Sequence, residues 1–309
     1  MTNLKDIQVL GSLDFIRLNI HQNKNSDYLM LQLFNQIKHL SMGQSEHRYT
    51  SQNGYNQSRK YLINTDEKTH EVIISKCANE SYMPYLLKID EPDNKIIQII
   101  NECVSQLSYC NFTAIEFTLD FICDNPLRLY QFMKETMLIS WRGKPLDVTY
   151  QSTVYLNNIR TANGKGGKFY LKTLQDHEGN MREVVRVEIT LKRNVLKRKQ
   201  VHNFEDLRKL TIHDVFHYIT FKEFNDNLFF NKLLNLNYQR EQIKSIIEEI
   251  RNLIKDGLLY DANVMAKSYL KNKSYLKPHP FNKHFITRSS GCTFLNGDVF
   301  YLDSNMMSS

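Results

Sequence analysis

Two stretches of strict alternation constrain this chain more than any other feature. In NFTAIEFTLDFIC (residues 111–123), Ile115, Phe117, Leu119 and Phe121 fall on one side of an extended backbone, and Glu116, Thr118 and Asp120 on the other. In EVVRVEITLK (183–192), Val185, Val187, Ile189 and Leu191 alternate with Arg186, Glu188, Thr190 and Lys192. A period of two with β-branched and aromatic residues on the apolar side marks a strand that buries one face. Such strands need neighbours in a sheet, and the sheet needs a layer to cover its apolar side.

The covering layer is legible as helical spacing. It runs through DYLMLQLFNQIKHL (27–40), DNKIIQIINECVSQL (93–107) and NPLRLYQFMKETMLISW, which starts after Asn125–Pro126. Further strands are expected at GSLDFIRLNI (11–20), where Leu13 and Phe15 precede Ile16, Leu18 and Ile20. Others follow in short segments between 48 and 88 with a turn at Gln52–Asn56, and at STVYLNNIR (152–160) and KFYLKTL (168–174), which flank a glycine-rich turn at Gly164–Gly167. Residues 203–260 read as helical, HDVFHYITFKEF included, with a long helix stopped at Gly257. From about residue 272 the chain is rich in turn residues and predicts an irregular, flexible tail. The expected fold is α+β. An antiparallel-sheet core with flanking helices spans 1–200, a helical extension 201–271 and the tail 272–309.

Composition narrows the function. Hydrophobic residues at 41% and charged residues at 24% exclude wholesale disorder. No apolar run approaches the roughly 18 residues of a bilayer span, and the first residues do not read as a secretory signal. Five cysteines, none in a Cys-x-x-Cys pair, argue against a disulfide framework or a cysteine zinc site. A cytoplasmic protein without a membrane partner is expected. Forty Lys and Arg against 33 Asp and Glu give a net charge of +7. The excess is concentrated between Tyr155 and Gln200, where eleven basic residues face four acids. A local surplus of that size suits a polyanion such as DNA.

The chemistry-bearing residues lie on the polar sides of the strands. Glu116 and Asp120, four apart, share one side of their strand, and Glu188 shares a side with Arg186 and Lys192. Were the two strands neighbours, these carboxylates would form an oxygen-rich cluster suited to Mg²⁺ or Mn²⁺. They could equally be paired with adjacent Arg or Lys across the strands. Tyr170 in KGGKFYLKT shares a strand face with Lys168 and Lys172, which would ease formation of a phenolate nucleophile. The preceding glycines allow close approach of a phosphate.

Taken in order, NFTAIEFTLDF, STVYLNNIRTANGKGGKFYLK and VVRVEITLKR resemble the Rep_trans family of rolling-circle replication initiators, with related phage initiators and some conjugative relaxases. The resemblance covers roughly residues 10–200. It implies that Tyr170 cuts one DNA strand and holds its 5′ phosphate, with Lys168 and Lys172 beside it. It also implies that Glu116 and Glu188 bind Mg²⁺ or Mn²⁺, with Asp120 and Asp14 as further metal candidates. Arg160, Lys165, Arg186, Lys192, Arg193, Lys197, Arg198 and Lys199 are the expected DNA contacts. Origin DNA, single-stranded or extruded as a hairpin, is the expected partner, with a homodimer and a host helicase as further ones. The chain departs from the family pattern in placing Glu116 at a usual Asp, Asn157 at a usual Gly, Lys168 at a usual Arg and Thr190 at a frequent acid. A non-catalytic DNA-binding protein or a conjugative relaxase on the same scaffold is the alternative.

Overall fold

A computed structural model of the chain describes residues 6–20, 28, 32–33, 35, 37–39, 41–47, 57–65, 68–76, 85–104, 110–139, 148–150, 153–156, 165–175, 179–236, 238–270, 274–296 and 298–307. Among them the strands are β1 (Ile7–Ile20), β2 (Ser41–His47), β3 (Gln57–Asn64), β4 (Thr69–Lys76), β5 (Tyr85–Asp90), β6 (Cys110–Ile122), β7 (Met137–Ile139), β8 (Val148–Tyr150), β9 (Thr153–Tyr155), β10 (Lys165–Gln175), β11 (Met181–Lys192), β12 (Ile219–Phe224), β13 (Leu276–Pro278) and β14 (Val299–Leu302). Eleven of these form one sheet in the order β2-β3-β4-β5-β1-β6-β11-β10-β9-β8, with β14 added beside the first half of β1. Every pairing in it is antiparallel. β13, β12 and β7 make a separate three-stranded sheet.

The helices are α1 (Asn94–Val104), α2 (Pro126–Thr136), α3 (Arg193–Arg198), α4 (Phe204–Lys209), α5 (Ile212–Phe216), α6 (Asp226–Leu234), α7 (Arg240–Lys255), α8 (Leu259–Leu270) and α9 (Pro280–Ser289). The described residues between 28 and 39 are helical too. The local chemistry explains the boundaries. Asn125 accepts the Arg128 amide and Pro126 occupies the first turn of α2, while Asn203 with Asp206 and Thr211 with Asp214 build capping boxes for α4 and α5. Gly257 follows α7 at φ +83, the left-handed conformation that glycine adopts at no steric cost. No helix among the described residues is long and apolar enough to cross a membrane.

The apolar sides of β1, β6, β10 and β11 face one core. Phe117 packs on Phe294 with ring centroids 4.8 Å apart, and Phe169 on Tyr130 at 5.5 Å. α5 lies so close to β1 that a Cβ on Gly11 would come within 2.8 Å of Ile212 Cδ1. A second, smaller cluster joins α6, α7 and α8 through Phe229, Leu233, Ile243, Ile250, Ala262 and Tyr275.

The structure corrects the sequence reading in four places. The expected helix after Pro126 stops at Thr136, because Met137–Ile139 pairs with Ile219–Phe221 instead. ITFKEF is strand β12, not helix. Its own apolar–polar alternation there finds two strand partners. Gly166 and Gly167 lie inside β10, opposite Thr190 and Ile189, so they are strand residues rather than a turn. The described residues of the tail form regular structure: α9 and β14 bring Phe281, Phe285, Phe300 and Leu302 into the main core, and β14 pairs with β1. The main core thereby spans the first and third expected regions and includes Phe204, Leu207 and Phe216 of the second. The expected turn at Gln52–Asn56 lies outside the described residues.

Candidate active site

β6, β11 and β10 are consecutive neighbours, which brings the two alternating segments and the tyrosine segment side by side. Their registers set three rows across the polar face. One row holds Tyr170, Arg186 and Asp120. The next holds Lys168, Glu188 and Thr118, and the third Gly166, Thr190 and Glu116. Glu116, Thr118, Asp120, Arg186, Glu188 and Thr190 are all buried, so both faces of β6 are shielded from water. Buried polar groups must find partners or carry a large penalty.

Apart from Thr118, whose hydroxyl has no hydrogen-bond partner among the described residues, these groups find them in one another or in Tyr170 and Lys168. The Tyr170 hydroxyl donates to Glu188 Oε1 at 2.5 Å. Lys168 Nζ lies 2.5 Å from Glu188 Oε2 and 3.8 Å from Glu116 Oε2. The Thr190 hydroxyl donates to Glu116 Oε1. Arg186 grips Asp120 with two bonds, Nε to Oδ1 and Nη2 to Oδ2, each 2.6 Å. Such a fork-to-fork pair is among the stronger side-chain contacts.

Asp14 joins through a β-bulge. Leu13 pairs with Phe117 and Phe15 with Glu116, so Asp14 is the extra residue, and its carbonyl accepts the Glu91 amide at 2.6 Å. The bulge reverses the alternation. Phe15 therefore leaves the apolar side that its sequence position suggests and lies under the Arg17 and Lys88 cations, 5.5 and 5.6 Å from its centroid. Asp14 Oδ1 stands 4.0 Å from Arg186 Nη1.

The electrostatics follow from burial and these contacts. Burial, with the Glu188 and Asp14 charges, pushes Glu116 up to about 7, against the opposing pull of Thr190 and Lys168. Burial and the bond donated to Glu188 hold the Tyr170 hydroxyl well above the ordinary tyrosine range. Burial would lower Lys168, but Glu188, Glu116 and Asp14 outweigh it and keep the ammonium charged. Burial likewise opposes the charge on Arg186, and Asp120 more than restores it.

A divalent cation needs a shell of oxygen donors open to it. Among the described residues no three His, Cys, Asp or Glu side chains gather in that way. Asp120 spends both oxygens on Arg186, and Glu116 and Glu188 turn theirs to hydroxyls and to Lys168. The donor set as it stands does not fit Mg²⁺ or Mn²⁺.

The expected DNA contacts divide. Lys172 is half-buried on the tyrosine face of β10. Arg186 is buried in its ion pair and belongs to the site. Lys192 and Arg193 are half-buried where β11 runs into α3, and Lys197 and Arg198 are exposed on α3. Lys199 is half-buried, its ammonium 5.5 Å from the Tyr218 ring centroid, and burial holds it below the usual lysine range. Arg198, Lys199 and Lys209 border an open polar cavity of about 470 Å³ that also includes Asp206 and Asp214. Arg160 and the Lys165 side chain lie outside the described residues.

Sequence reasoning missed a second buried network at the other end of the sheet. His70 Nε2 lies 2.8 Å from Asp93 Oδ2, and His70 Nδ1 lies 3.0 Å from the Glu91 carbonyl. The Thr65 hydroxyl donates to Asp93 Oδ2 at 2.7 Å, and Asp93 Oδ1 accepts the Ile96 amide. It also missed Thr190 as the donor to Glu116. The available signal was the placement of hydroxyls and cations at strand positions facing carboxylates.

Compared with known proteins, the chain matches no family model and no curated protein sequence.

Proposed function

We propose that this protein nicks and rejoins one strand of DNA through a tyrosyl intermediate, in the manner of a rolling-circle replication initiator. The observation that carries the reading is the Tyr170–Glu188–Lys168 chain of contacts at 2.5 Å each. A nucleophile bonded to a base, with the base oriented by a third group, is the general arrangement for covalent catalysis.

The steps balance on these residues. Tyr170 Oη attacks the scissile phosphorus while its proton passes to Glu188. The bond from phosphorus to the 3′ oxygen breaks, leaving a 5′-phosphotyrosine and a 3′ alkoxide that takes up a proton to become the hydroxyl. The ester retains the energy of the broken bond, so the 3′ hydroxyl can attack it later and restore the strand. At rest the tyrosine is a poor nucleophile because its hydroxyl titrates high, and a base already in contact lowers that barrier. Lys168 holds Glu188 in place through its 2.5 Å contact and, with Lys172, offsets charge on the transferring phosphoryl group. Arg186 and Asp120, locked together, fix the strand spacing on which the row depends. The exposed Lys197 and Arg198 supply sequence-independent attraction to DNA.

The test uses a randomised single-stranded DNA library labelled at its 3′ end, with and without a hairpin. Wild type is expected to carry label through a denaturing gel, with the modified peptide containing KFYLK. Tyr170→Phe should carry none. A label on Tyr155, or an adduct that survives Tyr170→Phe, would overturn the assignment. DNA binding with no adduct on any substrate would favour the non-catalytic alternative.

A further inference from the structure

We infer that the Lys168 ammonium is the resident cation of this site, holding the position between Glu116 and Glu188 and closing it to divalent metal. The inference concerns the site of the proposed strand transfer, and rests on that reading for where the phosphate lies.

Glu116 and Glu188 together offer four carboxylate oxygens. Oε1 of Glu188 accepts the Tyr170 hydroxyl and Oε1 of Glu116 accepts the Thr190 hydroxyl. The two Oε2 atoms face Lys168 Nζ at 2.5 and 3.8 Å. The next carboxylate on the face, Asp120, is held at both oxygens by Arg186. With those bonds in place, a hard divalent ion would meet two glutamate oxygens free of hydroxyl partners, with a positive charge already between them, and Asp14 beyond, its Oδ1 4.0 Å from Arg186 Nη1. Mg²⁺ demands six donors near 2.1 Å and Ca²⁺ six to eight, as general coordination chemistry requires.

Lysine is suited to this post. Its ammonium is a compact point charge on a flexible stem, whereas a guanidinium would need a planar, two-toothed partner. The backbone sets its reach, because Lys168 is the direct register partner of Glu188, while Glu116 stands one strand further and one row along. Thr190 completes the arrangement. A hydroxyl there donates to Glu116, whereas an acid at that position would add the further oxygens that a metal shell needs. The tether has a chemical consequence. An ammonium can neutralise charge on a phosphoryl oxygen, but it cannot supply the bound, acidified water of a metal centre. Transfer between DNA ends would thus be favoured over hydrolysis of the intermediate.

The experiment is Mn²⁺ binding to the full chain, read by the loss of the free-ion spin-resonance signal. Wild type should show no saturable site below about 1 mM, and Lys168→Gln should gain one site at least about tenfold tighter, because removing the cation leaves two carboxylates for a hard ion. Adding Glu116→Gln to Lys168→Gln should remove the gained site. A wild-type site as tight as that of Lys168→Gln, abolished by Glu188→Gln, would overturn the inference, as would a folded Lys168→Gln that gains nothing. Should Lys168→Gln fail to fold by circular dichroism, the wild-type titration decides alone: a site lost in Glu188→Gln refutes the inference, and its absence supports it. The tyrosyl adduct is read separately on denaturing gels. A chain that forms none loses the strand-transfer reading and keeps the result on Mn²⁺.

Discussion

Two buried polar networks sit in the same sheet and do opposite things to their carboxylates. Around His70, burial opposes the charge on Asp93, but the Ile96 amide, the Thr65 hydroxyl and His70 outweigh it and hold the carboxyl below the usual range. Around Lys168, burial and two neighbouring acids push Glu116 up to about 7. The first network is a clasp. It ties the start of α1 to β4 and to the end of β5, and its carboxylate is more stable folded than unfolded. The second keeps a carboxylate in a form the folded chain resists, beside a hydroxyl bonded to a base. Strain of that kind persists where chemistry rather than stability sets the sequence, which is why the comparison favours the Tyr170 network as the site.

The contrast can be broken most sharply at Tyr170. Tyr170→Phe should abolish the adduct while costing about 1–3 kcal/mol of stability, because the buried Glu188 oxygen loses its donor, as measured by denaturant unfolding beside the gel assay. Glu188→Gln should slow adduct formation by about 10²–10⁴-fold, the usual contribution of a positioned base, and leave DNA binding unchanged or slightly tighter. Retention of full activity would remove Glu188 from the base role.

At the clasp the order of effects reverses. Asp93→Asn should cost about 1–3 kcal/mol of stability, the penalty for breaking a buried network, with adduct formation per folded molecule unchanged. Because the Asp93 carboxyl is depressed in the fold, its stabilisation is present above the unfolded value of 3.8 and is lost as pH falls through the lower folded value. The variant should therefore show a flatter acid limb than wild type. Glu116 has the contrary sign. Its folded value near 7 exceeds the unfolded 4.5, so stability drains away as pH rises between them, and Glu116→Gln should gain on wild type across that window. Equal pH profiles would remove the difference between the networks. The smallest effect is expected on the surface, where neutralising Lys197 and Arg198 should lower the salt-dependence slope of DNA binding by about two, equally for all sequences.

What the sequence disclosed was whatever repeats locally. The alternation around Phe117 and Val187 gave both long strands and the face each polar residue occupies. Asn125–Pro126 and Gly257 punctuated their helices as cap chemistry predicts. What it withheld depends on partners far away. ITFKEF follows a helical stretch and reads as part of it, since nothing local announces Met137–Ile139 as its partner. Phe281, Phe285 and Phe300 sit among Lys, Pro, Asn and Ser and become core residues only against a sheet built elsewhere. Within the site, Tyr170, Glu116 and Glu188 were legible as residues on polar strand faces. Their contacts were not, because the registers Lys168↔Glu188 and Arg186↔Asp120 are properties of paired strands. The bulge at Asp14 left one trace, the phase break between Phe15 and Ile16.

The pairing of β14 with β1 sets the timetable by which this protein can be made. Ile7 lies opposite Leu302, so two strands far apart in the sequence share a hydrogen-bond ladder. Non-local pairings of this kind slow folding and prolong the exposure of apolar strand edges. Until β14 joins, its side of Ile7–Leu10 lacks the partner it has in the folded chain, and Phe300 has yet to reach the core.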